Sequence, residues 1–395
     1  MIGFDAAIEL IRSVASPLAT ETIPIGQAHE RVLARPVVAA IDSPRCDVSA
    51  MDGYALREAD LRHLPAALEI IGESFPGAVP NVAIRPGCCV RIFTGAAVPH
   101  GADRVVMQEK VRREGNSAII KEQPGRDPHI RPSGSDFRAG DRLLAAGTVL
   151  GARATVAAAA ADLGELEVYR SPRLHILSTG DELVQPGTAR RSPNAVPDSV
   201  SLGVAAMAER CGALHAGTMR LPDDLPKMRR AASTALDEAD LVVVTGGASV
   251  GEKDFAKAMF EPLGLDLIFS KVAMKPGKPV WLGRALGKLV VGLPGNPTSA
   301  LVTARLLLAP LLLGLTGRPA EGALAWRSVA TVSDLPPCGA RETFHRARLV
   351  DGAAEVIAFQ ESHAQQALAE ADLLVRQRAH GPLIRAGEQV QAMDF

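Results

Sequence analysis

Between residues 172 and 317, three apolar runs, Leu174–Leu177, Leu241–Val244 and Leu289–Val291, alternate with segments of helical character near 200–210, 224–238, 254–262 and 298–313. Nothing else in the chain restricts its fold as tightly. Strand–helix alternation at this spacing predicts a parallel sheet with helices on both faces, a three-layer α/β domain over 172–318.

Each of the three runs leads into a loop suited to ligand contact. Ser178, Thr179, Gly180, Asp181 and Glu182 follow the first. The second leads into Thr245 to Asp254, with Gly246, Gly247, Ser249 and Gly251, and the third into Pro294, Gly295, Asn296 and Pro297, which open a helix. In open parallel sheets ligands bind at the carboxyl ends of strands, where glycine lets backbone N–H groups approach a phosphate. One such loop is an ordinary connector; three on one edge point to a shared cleft for an anion. The middle loop has glycines at nucleotide P-loop spacing. Glu252, however, stands where the phosphate-binding lysine belongs, and no Ser or Thr follows it. An ordinary P-loop NTPase is excluded.

Lys271, Lys275 and Lys278 place three ammonium groups within eight residues. Such a cluster reads as a solvated face or as a clamp on a pyrophosphate or oxyanion; the intervening Pro276, Gly277 and Pro279 fix its backbone and favour the second. Asp181, Glu182, Asp223, Asp224 and Asp254 fall at loop or helix-start positions of the same unit. Asp224 reads as a helix N-cap. Glu182 and Asp254, beside the glycine loops, suit Mg²⁺, which takes one or two carboxylates and keeps several waters, or else the substrate.

The flanks differ in texture. Phe4, Ile8, Ile11 and Ala15 recur at helical spacing before Pro17, and the nearly all-alanine and valine stretch 151–161 predicts a close-packed helix with its short side chains buried. These belong to an N-terminal helical domain over 1–45 and 139–171, split by a β-rich insertion over 46–138. Within the insertion, Asp52 beside Gly53 reads as an Asx-turn on spacing alone, and Thr94 follows a strand ending at Phe93. Short strands over 319–395 predict a small β-barrel or sandwich.

Composition removes several functional classes. The 395 residues carry 43 basic and 44 acidic side chains, so no large positive field exists to hold a nucleic-acid backbone. Five cysteines without a C-x-x-C pair, and nine histidines with no pair at i, i+4, argue against a zinc site or a disulfide framework. The longest apolar run, Leu306 to Leu315, is interrupted by Pro310 and is shorter than the roughly 18 residues a bilayer requires. A reduced cytoplasmic protein without membrane attachment is expected.

Taken together, Ser49–Ala55, Arg91–Glu109, Ser178–Leu183, Thr245–Phe255, Lys271–Pro279 and Gly292–Ala300 resemble, in order, the signatures of the molybdopterin molybdenumtransferase family (MoeA type, including the gephyrin E domain). The resemblance covers nearly the whole chain. It implies a homodimer built from the four parts above, the last a β-barrel, with a cleft shared between the α/β domain of one subunit and the insertion of the other. The implied reaction transfers molybdenum from molybdate to adenylylated molybdopterin and releases AMP, assisted by Mg²⁺. The resemblance also implies an adenylyltransferase or an apo-molybdoenzyme as partner. By motif match, Asp52, Thr94, Asp136, Lys271, Lys275 and Lys278 take catalytic roles, and Glu182 and Asp254 hold the metal. Ser178, Thr179, Gly180, Asp223, the glycine-loop residues, Pro294–Pro297 and Arg346 bind the pterin nucleotide.

Two departures from the family pattern stand out. Ser135 replaces the acid of a Gly-Glu-Asp turn, leaving Asp136, and Val200 replaces an asparagine able to read a pterin or nucleotide edge. A non-catalytic molybdopterin carrier or scaffold is therefore the alternative from a different class. Adenylylation of molybdopterin, the preceding step, is a third reading, opposed by the absence of a second α/β domain in the sequence.

Overall fold

The computed structural model describes residues 1–246 and 255–395. They form two compact units: Met1–Glu21 and Glu30–Ala34 with Glu167–Phe395, and Thr22–His29 with Arg35–Leu166.

The larger unit is built on a six-stranded sheet in the order Leu214–Leu221, Arg173–Thr179, Leu241–Thr245, Lys288–Leu293, Trp281–Ala285, Asp266–Phe269. The first four strands are parallel, with Leu174 opposite Leu241 and Leu241 opposite Leu289. The last two are antiparallel to their neighbours, which corrects the expectation of a purely parallel sheet. Leu286 and Gly287, both at positive φ (47° and 76°), turn the chain directly from Ala285 to Lys288, so no crossover helix is needed. Leucine is an unusual residue for such a turn, and the sequence carries no other sign of it.

Alternate residues of the central strands serve two cores. Leu174, Ile176, Leu241 and Val243 pack with Val204 and Ala208 of helix Ser199–Arg210. Leu177, Val242 and Val244 pack with Met228, Ala232 and Leu236 of helix Leu225–Glu238. The sheet is thus covered on both faces, as its apolar strands require. Both helices begin on an aspartate cap: Asp198 Oδ1 accepts from Ser201 N–H at 3.3 Å, and Asp224 Oδ1 from Lys227 N–H at 3.0 Å. Helix Pro297–Leu315 is long and apolar enough to cross a bilayer, unlike the ten-residue run read from the sequence, but 83% of its apolar window is buried in this core. It widens to i→i+5 hydrogen bonding over Ala304–Leu308, just before Pro310, which lacks the N–H that a regular turn would use.

Helix Phe4–Val14 joins the same core. Phe4, Ala7, Ile8 and Ile11 form its buried stripe, and the Phe4 ring meets Phe344 edge-on at 4.8 Å. Phe344 lies in the C-terminal strands, where Ala353–Val356, Glu342–Val350, Leu373–Gln377, Gln389–Asp394 and Arg327–Ala330 pair in succession. A parallel bridge between Thr331 and Ala354 joins the two ends of that series, closing a small barrel around Val329, Ala347, Val375 and Val390.

The second unit holds another six-stranded sheet, in the order Arg104–Met107, Gly53–Leu56, Cys88–Ile92, Ala66–Ser74, Ser117–Ile120, Val111–Glu114. Tyr54, Leu68, Cys89, Val106 and Ile120 form its core. Helix Ala152–Ala160 departs from expectation: only Ala158 is buried within it, and Val156 is 70% exposed. Alanine's helix propensity, rather than burial, accounts for this run. All five cysteines are free, and burial pushes the Cys89 thiol up to about 12, so it stays protonated and inert.

Both tryptophans, Trp281 and Trp326, lie in the larger unit and report its unfolding. Phe4→Ala removes a fully packed ring and is expected to lower that unit's stability by about 3–5 kcal/mol. Urea melts followed by tryptophan fluorescence check this; a change under about 0.5 kcal/mol would mean that the helix is an appendage rather than core.

Candidate active site

The order of the larger sheet decides where a ligand can sit. From Arg173–Thr179 the chain passes through helix Ser199–Arg210 to the strand on one side, whereas Leu241–Thr245 lies on the other side. Helix Ser199–Arg210 packs on one face of the sheet; Ala256, Met259 and Phe260, which follow Leu241–Thr245, pack on the other. The two exits therefore diverge and leave a crevice between the strand ends.

A cavity of about 760 Å³ opens there. Ser178, Thr179, Gly180 and Glu182 line it from the first loop, Thr245 and Gly246 from the second, and Pro294 to Pro297 from the third. The loops are drawn together by buried hydroxyls: Thr179 Oγ1 donates to Thr245 O at 3.2 Å, and Thr245 Oγ1 to Ser178 Oγ at 3.3 Å. Gly246 has φ +88°, and a Cβ there would lie 2.5 Å from the Thr179 carbonyl oxygen. Only glycine fits this contact.

Two helices, Ser199–Arg210 and Pro297–Leu315, begin at the cavity wall, with Ser199, Val200 and Pro297 among the lining residues. Their positive dipole ends favour an anion, although Ser201 N–H is taken by the Asp198 cap and Thr298 N–H by Ser362 O. Glu182 and Asp223 bring carboxylates to the same space, and the Asp223 N–H donates to Asp181 Oδ1 at 3.0 Å, tying the first loop to the next strand end. Among the described residues no group of three or more His, Cys, Asp or Glu could hold a metal ion. Gly247, Ser249, Gly251 and Asp254, assigned to ligand and metal binding from sequence, lie outside the described residues.

In the second unit, Asp52 Oδ1 accepts from both the backbone N–H and the hydroxyl of Thr94, each at 2.8 Å. The partner is 42 residues away, so the aspartate bridges two segments rather than closing the Asx-turn suggested by spacing. The Thr94 N–H, then its hydroxyl, and more weakly Arg91 hold the Asp52 carboxyl below the ordinary aspartate range. Asp136 sits on a separate exposed turn, its N–H donating to Ser43 O at 2.9 Å.

Comparison with known proteins fits this layout. Residues 2–163 match the MoeA N-terminal region (domain I and II), 175–314 a probable molybdopterin binding domain, and 329–395 the MoeA C-terminal region (domain IV). The molybdopterin molybdenumtransferase of Haemophilus influenzae is 34% identical, with 100% of this chain and 99% of that protein covered. Molybdopterin molybdenumtransferase 2 of Mycobacterium tuberculosis is 35% identical over 95% of each chain. The chain belongs to the molybdopterin molybdenumtransferase family. A crystal structure of the molybdopterin biosynthesis MoeA protein from Pyrococcus horikosii superposes with a TM-score of 0.86 at 28% identity, covering 100% of this chain and 99% of that one.

Within this family member, two groups of residues assigned from sequence lie apart from the cavity wall. Lys271, Lys275 and Lys278 are exposed, and none is among the lining residues; their segment reaches the cavity through Pro279, while Lys275 pairs with Thr343 of the barrel. Arg346 is buried and is not among the residues lining the cavity. It is 1% exposed, and its guanidinium donates to Phe359 O, Glu361 O, Ala364 O and Thr298 Oγ1 at 3.2–3.4 Å. These bonds hold the segment from Phe359 to Ala364, while Ser362 Oγ accepts from Asn296 Nδ2 at 3.0 Å. That segment brings His363 and Gln365 to the cavity. Neither was signalled by the sequence, since a lone histidine and glutamine in a loop carry no pattern. Asp198, which caps helix Ser199–Arg210, also lines the cavity.

Removing only the hydroxyl of Thr94 should leave Asp52 with its backbone donor. In Thr94→Val the Asp52 pKa rises from its lowered position, without any gross change in fold. Carboxyl-carbon NMR titration of labelled aspartate checks this; an unchanged Asp52 titration would show that the hydroxyl contributes nothing.

Proposed function

We propose that the cavity at the strand reversal binds adenylylated molybdopterin and that the protein transfers molybdenum from molybdate to its dithiolene, releasing AMP. What carries this reading is the junction of three strand-end loops and two helix N-termini with Glu182 and Asp223 around one open cavity. Loop and helix N–H groups hold the phosphates, and the buried Ser178, Thr179 and Thr245 hydroxyls keep those loops in register. Glu182, with Asp254 of the adjoining loop, would hold Mg²⁺ against the phosphate oxygens, where the ion supplies charge neutralisation at the phosphoanhydride.

Lys271, Lys275 and Lys278 supply positive charge for molybdate and for the departing phosphate. Asp52, kept ionised by Thr94, offers the substrate a fixed negative hydrogen-bond acceptor, and Asp136 adds a second carboxylate from its own turn. We further infer a cytoplasmic homodimer that receives its substrate from an adenylyltransferase and delivers its product to an apo-molybdoenzyme. The relatives compared above carry the transferase name, and nothing in them favours the carrier alternative.

Mixing the purified protein with adenylylated molybdopterin, Mg²⁺ and molybdate is expected to give AMP and protein-bound molybdenum. Glu182→Gln and Lys275→Ala should each lower AMP release by about 10²-fold or more while the melting curve stays in place, the usual cost of losing a group that stabilises transferred charge. Binding of the nucleotide without AMP release in the unaltered protein would instead identify a carrier. Full activity in both variants would overturn the site assignment.

A further inference from the structure

Among the described residues, Thr303 carries the only buried side-chain hydroxyl without a hydrogen-bond partner. It lies on helix Pro297–Leu315 and is fully enclosed. A threonine in a helix commonly turns its oxygen back to a carbonyl one turn earlier. This one meets another segment instead. Gly277, at φ +104°, passes so close that a Cβ there would lie 2.2 Å from Thr303 Oγ1.

Gly277 stands between Lys275 and Lys278, and the rest of that segment is already tied down. The Ile2 N–H donates to Lys271 O at 3.1 Å, and the Ala273 N–H to Ile2 O at 2.7 Å. On the barrel side, the Glu342 N–H donates to Ala273 O at 2.9 Å, and Lys275 pairs with Thr343. The returning arm closes on the same frame, with the Val272 N–H donating to Lys278 O at 3.2 Å and the Val280 N–H to Gly277 O at 3.1 Å. What remains to be set is how near the turn comes to the helix, and Thr303 is the contact that sets it. The three ammonium groups point outward from a backbone fixed in this way.

An unpaired buried hydroxyl costs free energy that an apolar group of the same shape would not. Valine would therefore be the better core residue here, except in size. A methyl group is bulkier than a hydroxyl oxygen and would press the turn away from the helix. We propose that Thr303 is a positioning residue for the transfer: acting through Gly277, its oxygen sets where Lys275 and Lys278 stand. This rests on those lysines serving the proposed reaction.

Two substitutions at position 303 separate positioning from stability. Thr303→Val is expected to keep or raise the melting temperature. It should nevertheless lower AMP release at subsaturating molybdate at least about fivefold, part of the roughly 100-fold that a 1 Å misplacement can cost. KM for the nucleotide should not change, because neither Thr303 nor the lysines line the cavity. Thr303→Ser keeps the oxygen but loses a packed methyl, so it should melt earlier and yet release AMP at the unaltered rate. A merely structural role reverses this order, with activity following stability. Position is read without activity by NMR of the protein with its lysines ¹³C-methylated, the signals assigned through Lys275→Arg and Lys278→Arg. The Lys275 or Lys278 signal should move in Thr303→Val and stay in Thr303→Ser. Unmoved signals, or undiminished AMP release in Thr303→Val, would overturn the role of Thr303 while leaving the proposed reaction standing. If the unaltered protein releases no AMP, the reaction itself falls and this inference with it.

Discussion

The contact between Gly246 and the Thr179 carbonyl fixes the geometry on which the rest of this site depends. Strand order reverses between Arg173–Thr179 and Leu241–Thr245, so the two chains leave the sheet in opposite directions. A crevice at that point is a consequence of topology, but its width is set by side chains. With a Cβ at position 246 only 2.5 Å from the carbonyl oxygen, any residue but glycine would push the loops apart. Gly295 repeats the constraint on the other side, where a Cβ would lie 3.2 Å from Gly246 Cα. Ser178–Gly180, Gly246 and Gly295 are thereby held close together at the mouth of the crevice.

The charge in this space explains itself only if the groups are taken together. Helix N-termini attract anions, while Glu182 and Asp223 repel them. Either set alone would suggest a different ligand: free phosphate in the first case, an amine or a metal in the second. Combined, they are consistent with the proposed phosphate ligand arriving with a divalent cation, whose charge would offset the Glu182 carboxylate while the helix ends face the phosphate oxygens.

Features written in local pattern were legible in the sequence. The central strands appeared as apolar runs because a strand buried on both faces has no polar positions. Asp224 announced itself as a cap, and the helix at Phe4–Val14 showed its stripe at i, i+4. Features that depend on distant partners were not legible. Asp52 looked like a local turn residue because Thr94 is remote in the chain. The antiparallel end of the sheet was hidden by Leu286, which adopts a positive φ that leucine normally avoids. The alanine-rich helix was misjudged for another reason: alanine reports propensity, and propensity does not specify which face is buried.

Arg346 shows how the barrel takes part in a site to which it lends no charge. Burying a guanidinium without a carboxylate beside it is unfavourable, and here burial draws its pKa down, with only Glu361 opposing. Three backbone carbonyls and the Thr298 hydroxyl compensate, although Nε remains without a partner. Such an arrangement is maintained at a cost, and what it secures is the path of the segment from Phe359 to Ala364. Gln360 strengthens the hold by accepting from the Arg346 N–H and donating to its carbonyl. The same segment meets the start of helix Pro297–Leu315 through Ser362, so barrel and α/β sheet are joined where the cavity needs its outer wall. An arginine in this position acts through the loop it shapes, and its fixed five-donor fork is what allows one side chain to gather several carbonyls at once.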